Sequence, residues 1–255
     1  MAVVEIKDLK IGIGLPKICV PLVGTTDQEL IEQTRKANQS NCDMLELRID
    51  HYAKVSEVSQ VIELLHKIRE CTSMPLLFTF RTANEGGEKE ISKKDYQSLY
   101  EEVIKSGAVE LIDLELFQGE ELIKPLIELA KQHGIKVVVS NHDFSKTPET
   151  KEMIERLLKM RKLEADIPKI AVMPQTKQDV LRLMEAILYV KEQDNMGPLV
   201  GISMGELGMP SRMMGNWFHS SITFGVVSEA SAPGQLSVKE LHQVFEVIKK
   251  NLNDR

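Results

Sequence analysis

The chain has 255 residues, 42% of them hydrophobic and 27% charged, which suits one soluble enzyme domain with a sizeable core and leaves no disordered tract. Its formal net charge of −6 argues against nucleic-acid and membrane partners, although a local basic pocket can still hold an anion. The start, Met1 to Asp8, has no basic region ahead of an apolar segment, and no stretch approaches the roughly 20 apolar residues of a membrane span, so a cytoplasmic location is expected.

In chain order, Val3 to Ile6 and Leu9 to Ile11 flank Lys7-Asp8 and predict a small hairpin closing the bottom of a barrel. Short apolar runs then alternate with amphipathic stretches. Strands are predicted over Ile18 to Leu22, Met44 to Arg48, Leu76 to Phe80, Leu111 to Leu114, Val137 to Asn141, Lys169 to Val172, Leu199 to Ser203 and Ile222 to Val227, eight in all. Between them, Thr26 to Ser40, Val55 to Glu70, Lys94 to Ser106, Leu122 to His133, Pro148 to Leu163 and Lys177 to Gln193 carry apolar residues at three- and four-residue spacing and predict helices. Gly107 and Gly134 read as C-terminal stops. Eight βα repeats with no linker or composition break predict a single closed (β/α)8 barrel over residues 1–255. An open doubly wound sheet is the alternative, but no Gly-x-Gly-x-x-Gly turn follows the first strand. Cys19, Cys42 and Cys71 lack metal-like spacing and read as reduced and structural.

A barrel makes the polar residues informative, because active sites in this fold lie at the C-terminal ends of the strands. The second strand ends in Glu46-Leu47-Arg48, whose alternation puts Glu46 and Arg48 on one face. The third runs into Arg81, with Glu85 in the loop beyond; the fifth leads to His142, the sixth carries Lys169, and the seventh leads through Met204 to Arg212. After the eighth, Ser228 to Gln235 form a small-residue loop suited to closing over a ligand.

Lys169 is the most informative of these, since it stands inside the apolar run Ile167 to Pro174. An ammonium on a buried strand must pair, deprotonate or react, and a desolvated amine can become a neutral nucleophile that forms an imine with a ketone. His142, on the preceding strand, would shuttle protons. Plainer readings stand beside these. A lysine at the first position of a strand can turn its head to solvent, and a strand-end histidine is commonly a hydrogen-bonded loop residue. Glu46, Arg48, Arg81 and Glu85 can form salt bridges between barrel layers, and Met204 can be packing.

Met44-Leu-Glu-Leu-Arg48, Phe78-Thr-Phe-Arg81, Glu85-Gly-Gly, Ser140-Asn-His-Asp-Phe144, Lys169 to Pro174, Met204-Gly, Ser211-Arg212 and Ser231-Ala-Pro-Gly-Gln235 resemble the type I 3-dehydroquinate dehydratases, in order and across essentially the entire chain. The resemblance implies a Schiff-base hydro-lyase of the shikimate pathway that converts 3-dehydroquinate to 3-dehydroshikimate, without metal or organic cofactor, as a homodimer. It implies Lys169 as the imine-forming amine, His142 as general acid and base, and Glu85 as the carboxylate that orients His142. It places Arg212, Ser231 and Gln235 at the substrate carboxylate and Glu46, Arg48 and Arg81 at the ring hydroxyls. Met204 and Phe224 complete the implied substrate-binding set. Two rivals remain at this point. A class I aldolase or transaldolase-like enzyme also uses a barrel lysine, but no Gly-rich phosphate cup follows the last two strands. A non-catalytic small-molecule sensor would bind the acid without forming an imine.

Overall fold

The structure, a computed structural model, describes residues 3–193, 197–227 and 232–251. Strands β1 (Val4–Ile6) and β2 (Leu9–Ile11) pair antiparallel, with Val4 opposite Ile11, and Lys7 takes a positive φ of 52° at their turn. Val4, Ile6 and Ile11 are buried with Met44, Leu77, Leu111 and Val138, so the hairpin plugs the N-terminal mouth of the barrel. Eight strands follow: β3 (Lys17–Leu22), β4 (Met44–Arg48), β5 (Leu76–Thr79), β6 (Leu111–Glu115), β7 (Lys136–Asp143), β8 (Ile167–Val172), β9 (Val200–Ser203) and β10 (Ile222–Val226). They pair in parallel and in order from β3 to β9, and β10 returns to pair with β3. Helices α1 (Asp27–Asn38), α2 (Val58–Cys71), α3 (Lys93–Lys105), α4 (Glu120–Gln132), α5 (Thr150–Lys162) and α6 (Lys177–Gln193) fill the crossovers from β3 to β9. A short α7 (Met209–Met213) lies between β9 and β10, and α8 (Val238–Asn251) ends the description after a two-residue β11 (Leu236–Ser237) added beside β10.

Both faces of each barrel strand are covered, which is why the strands read as nearly continuous apolar runs. Outward residues such as Val20, Leu45, Leu47, Ile112, Val137 and Ile170 join the helices in one large cluster. Inward residues form a second cluster that includes Cys19, Met44, Leu111, Ile167, Ile202 and Phe224. Local signals set the helix starts: α1 opens on a capping box in which Thr26 and Glu29 satisfy each other's backbone N–H. Close packing sets others. A Cβ on Gly201 would stand 1.8 Å from Ile187 Cδ1, so α6 can lie this near β9 only over a glycine.

The structure corrects several predicted bounds. β8 starts at Ile167, because its ladder with β7 already pairs Val138 with Ile167, and this puts Lys169 at the third position of the strand, facing inward. β7 runs on to Asp143, since the same ladder continues through His142 and Asp143. α2 starts at Val58 rather than Val55, because turns at Tyr52–Val55 and Lys54–Glu57 use those backbone groups first. β11, α7 and α8 add to the predicted set.

Between β9 and β10 the seam is thin. One bridge joins Leu199 and Ser220, Ser221 N donates to Leu199 O at 2.8 Å, and the buried Ser220 hydroxyl accepts from Gly201 N at 3.1 Å and donates to Gly201 O at 3.2 Å. A side chain thus replaces a ladder step. Ser220→Ala would strand the Gly201 amide in the interior, and a buried unpaired donor costs about 1–3 kcal/mol. The urea midpoint is expected to fall with an unchanged slope. An unshifted midpoint would show that the seam closes without this hydroxyl.

Candidate active site

Along each strand the inward column changes character from the N-terminal to the C-terminal end. β4 carries Met44, Glu46 and Arg48; β5 continues from Leu77 and Thr79 to Arg81; β6 carries Leu111, Asp113 and Glu115; β7 carries Val138, Ser140 and His142; β8 carries Ile167, Lys169 and Ala171. On β9 and β10 the columns stay apolar, with Val200, Ile202, Ile222 and Phe224. The upper barrel is therefore half polar and half greasy. Between the halves lies a cleft of about 460 Å³, walled by Glu46, Arg48, Arg81, His142, Phe144, Lys169, Met204, Arg212, Phe224 and Gln235 among others. Every residue singled out from the sequence as a substrate or catalytic group borders this cleft except Glu85, which stands behind His142, and Ser231, which lies outside the described residues.

Lys169 is 4% exposed, and its burial is answered by pairing. Its Nζ lies 3.3 Å from Asp113 Oδ2 and 3.8 Å from Glu46 Oε1, with the Phe224 ring centroid 4.6 Å away. Glu46 is itself held by the Thr79 hydroxyl at 2.9 Å. The solvent-facing reading of Lys169 is thereby removed, and the amine rests against two carboxylates.

Arg81 is the hub of the polar half. Its guanidinium reaches Glu115 at 2.8 Å, Asp113 at 3.0 Å and Glu85 at 3.5 Å. Thr82 adds its backbone N–H and hydroxyl to Glu115 at 2.9 and 2.7 Å. The salt-bridge network expected as the plainer reading thus exists, yet Arg81 still faces the cleft. Arg48 forms a two-pronged pair with Asp50, both contacts at 2.8 Å. Asp50, Asp113, Glu115 and Ser140 were not singled out from the sequence. The signal was present for two of them, because Leu111-Ile-Asp-Leu-Glu repeats the alternation that exposed Glu46 and Arg48.

Glu85 sits in a single turn, Ala83–Glu85, ended by Gly86 at φ 82°, where a Cβ would stand 2.3 Å from the Phe144 ring. Glu85 Oε2 accepts from the His142 backbone N–H at 2.8 Å and lies 3.0 Å from His142 Nδ1, while Oε1 accepts from Asn141 at 3.1 Å. Burial pushes the Glu85 carboxyl up to about 8, against the opposing pull of Arg81. Burial, aided by the positive charges of Arg81, Lys169 and Arg48, holds the His142 imidazole well below its ordinary range. A neutral imidazole that turns its Nδ1–H to Glu85 leaves Nε2 free to take a proton.

Arg212 differs from the other cations. It is 1% exposed on α7, and among the described residues no carboxylate pairs with it. Among the described residues its Nε and Nη1 have no hydrogen-bond partner, and Nη2 donates to the Pro233 carbonyl at 3.0 Å. Burial lowers its pKa to about 10. The helix is fixed by Ser211, whose hydroxyl accepts from Ser203 N at 2.9 Å and donates to Gly208 O at 2.7 Å. A buried guanidinium with free donors costs several kcal/mol unless an anion meets it, and its planar fork matches a carboxylate. Met204 and Phe224 supply the apolar wall opposite the carboxylates. No group of three or more His, Cys, Asp or Glu among the described residues is arranged to hold a metal ion, and no helix among them is long and apolar enough to cross a membrane.

A family model described as type I 3-dehydroquinase matches residues 18–252. A 3-dehydroquinate dehydratase of Clostridium botulinum is 44% identical over 251 residues, covering 98% of this chain and 99% of the relative. Among solved structures, a type I 3-dehydroquinate dehydratase from Clostridium difficile with covalently modified comenic acid superposes with a TM-score of 0.95 at 42% identity, over 98% of this chain and 99% of that one. A 3-dehydroquinate dehydratase from Geobacillus kaustophilus gives 0.96 at 30% identity, over 99% and 98%.

The raised Glu85 carboxyl has a consequence for stability. Between the unfolded value of 4.5 and about 8, the folded protein holds a proton that the unfolded chain has released, so this group makes stability fall as pH rises through that window. Glu85→Gln removes the titration. The variant is expected to gain on the wild type, by on the order of a few kcal/mol at most, as urea midpoints are followed from pH 5 to pH 8. Parallel pH curves would show that Glu85 is ionised at no such cost.

Proposed function

The chain belongs to the type I 3-dehydroquinase family and dehydrates 3-dehydroquinate, a hydro-lyase reaction of the shikimate pathway, and we propose that it does so through an imine on Lys169 with His142 as the proton shuttle. The observation that carries this reading is the pairing, across one cleft, of a buried amine with a buried guanidinium whose Nε and Nη1 meet no partner among the described residues. A ketone that also bears a carboxylate satisfies both. Lys169 adds to the ring carbonyl, water leaves, and the iminium acidifies the adjacent carbon. His142 Nε2 takes the proton from that carbon to give an enamine and returns it to the departing hydroxyl as the enone forms; water then frees the lysine. Glu85 keeps the imidazole oriented with Nε2 toward the substrate.

Arg212 receives the carboxylate, with Gln235 on the same side of the cleft. Glu46, Arg48 and Arg81 hold the ring hydroxyls, and Met204 and Phe224 press the ring from the apolar side, so that position contributes alongside chemistry. The covalently modified ligand named for the Clostridium difficile relative is in keeping with a nucleophile in this pocket. The aldolase and sensor alternatives lose their ground once the family is established. We read the whole chain as one catalytic domain that needs no cofactor, acting in the cytoplasm as a homodimer; light scattering at twice the chain mass is the expected sign of the dimer.

Lys169→Ala is expected to abolish turnover with the fold intact by circular dichroism, and Lys169→Arg to be as inactive, since a guanidinium stays protonated. Arg212→Ala should lower kcat/KM for 3-dehydroquinate by about 2 to 5 kcal/mol of transition-state stabilisation, with only partial recovery in Arg212→Lys. An Arg212→Ala enzyme with unchanged kcat/KM would place the substrate carboxylate elsewhere.

A further inference from the structure

Asp113 has no part in the reaction as written above, yet it is the most enclosed charge beside the amine. It is fully buried on β6, and both of its oxygens are held. Oδ1 accepts the Ser140 hydroxyl at 2.5 Å and faces Arg81 Nη2 at 3.0 Å, which leaves Oδ2 turned to Lys169 Nζ at 3.3 Å. We propose that Asp113 is the fixed counter-ion of the Lys169 nitrogen, a positioning residue that holds its positive charge in one place before and after imine formation. This rests on the assignment of Lys169 as the reacting amine.

When a protonated amine condenses with a ketone, a C–N bond forms, the C–O bond breaks and one water is released. The nitrogen begins as an ammonium and ends as an iminium, each with one positive charge, and it is neutral only while its lone pair attacks. An anion already fixed beside it needs no rearrangement at either end, and such preorganised charge is worth most in a site shielded from water. Burial works against the Asp113 carboxylate, but Arg81, Lys169 and Ser140 outweigh it and keep its carboxyl below the usual range. A carboxylate so strongly held as an anion is a poor receiver for the lysine's proton, which suits a counter-ion and not a base. Among the described residues, the other charged or titratable groups around the nitrogen are Cys19 on β3, Glu46 on β4, Arg81 just beyond β5 and His142 on β7. Of the carboxylates Asp113 is the nearer, by 3.3 against 3.8 Å.

Asp113→Asn keeps the shape and removes the charge. The expected result is a kcat lowered roughly 10- to 100-fold with KM changed by less than about threefold, because the iminium has lost its partner while the Arg212 contact remains. At the same time the acid side of the kcat/KM profile should move to lower pH, because a negative charge has left the cleft. A lowered kcat with an unmoved acid side would assign Asp113 a merely structural role, and a wild-type kcat would exclude it altogether; either overturns the counter-ion. Should Asp113→Asn fail to fold, Ser140→Ala, which releases one of the bonds on Oδ1, is expected to give the same two changes at a few-fold size, and their absence overturns the proposal equally. A Lys169→Ala enzyme that retained turnover would instead remove the reacting amine itself. The two failures are thus distinguishable.

Discussion

A guanidinium with 2% exposure, surrounded by two carboxylates from β6 and one from the turn after β5, is the constraint on which the rest of this site depends. Arg81 cannot lose its proton at any accessible pH, and it cannot leave, because Glu115 and Glu85 both approach Nη1 while Asp113 faces Nη2. From that fixed charge the states of its neighbours follow. It helps to keep Asp113 ionised, so that Lys169 has an anion to face. It opposes the rise in the Glu85 carboxyl and adds to the field that keeps His142 neutral. An isolated pair of this kind is weak evidence for stability, since desolvation cancels much of the attraction. Here its value is in fixing the ionisation and direction of groups that must act in sequence.

The barrel converts this network into a reaction site by dividing it in two. Strands β4 to β8 bring charge to the upper layers, whereas β9 and β10 bring Ile202, Met204 and Phe224. An amine and an imidazole sit on the polar side of the divide, and on α7 beyond the other stands a guanidinium that no carboxylate among the described residues meets. The Pro233 carbonyl bonded to Arg212 and to Gly205 N brings the last strand's loop against the same wall.

The strand order and the eightfold repeat were legible because each strand is a short apolar run and each helix carries a three-four pattern with recognisable starts and stops. The polar strand ends were legible for the same reason, as Glu46 and Arg48 show. Asp113 and Glu115 obey the same alternation and went unremarked among leucines, although their spacing announced an inward pair. What one strand cannot tell is who meets whom. That Lys169 would face Asp113 rather than solvent depends on the stagger between β6 and β8, and on a strand start at Ile167 that Pro168 obscures, because proline is rare inside strands. That no carboxylate among the described residues meets Arg212 is likewise a property of the assembled barrel. Asp50 became the partner of Arg48 only through the tight turn Ile49–His51, which returns its carboxylate to the strand it follows.

The claim on which the account stands is that chemistry passes through a covalent bond to Lys169. Reduction with borohydride during turnover of 3-dehydroquinate, followed by peptide mass mapping, tests it most directly: the account requires a stable adduct on the peptide that contains Lys169 and on no other. An adduct at a different lysine, or none in an enzyme that is visibly turning over, would contradict it.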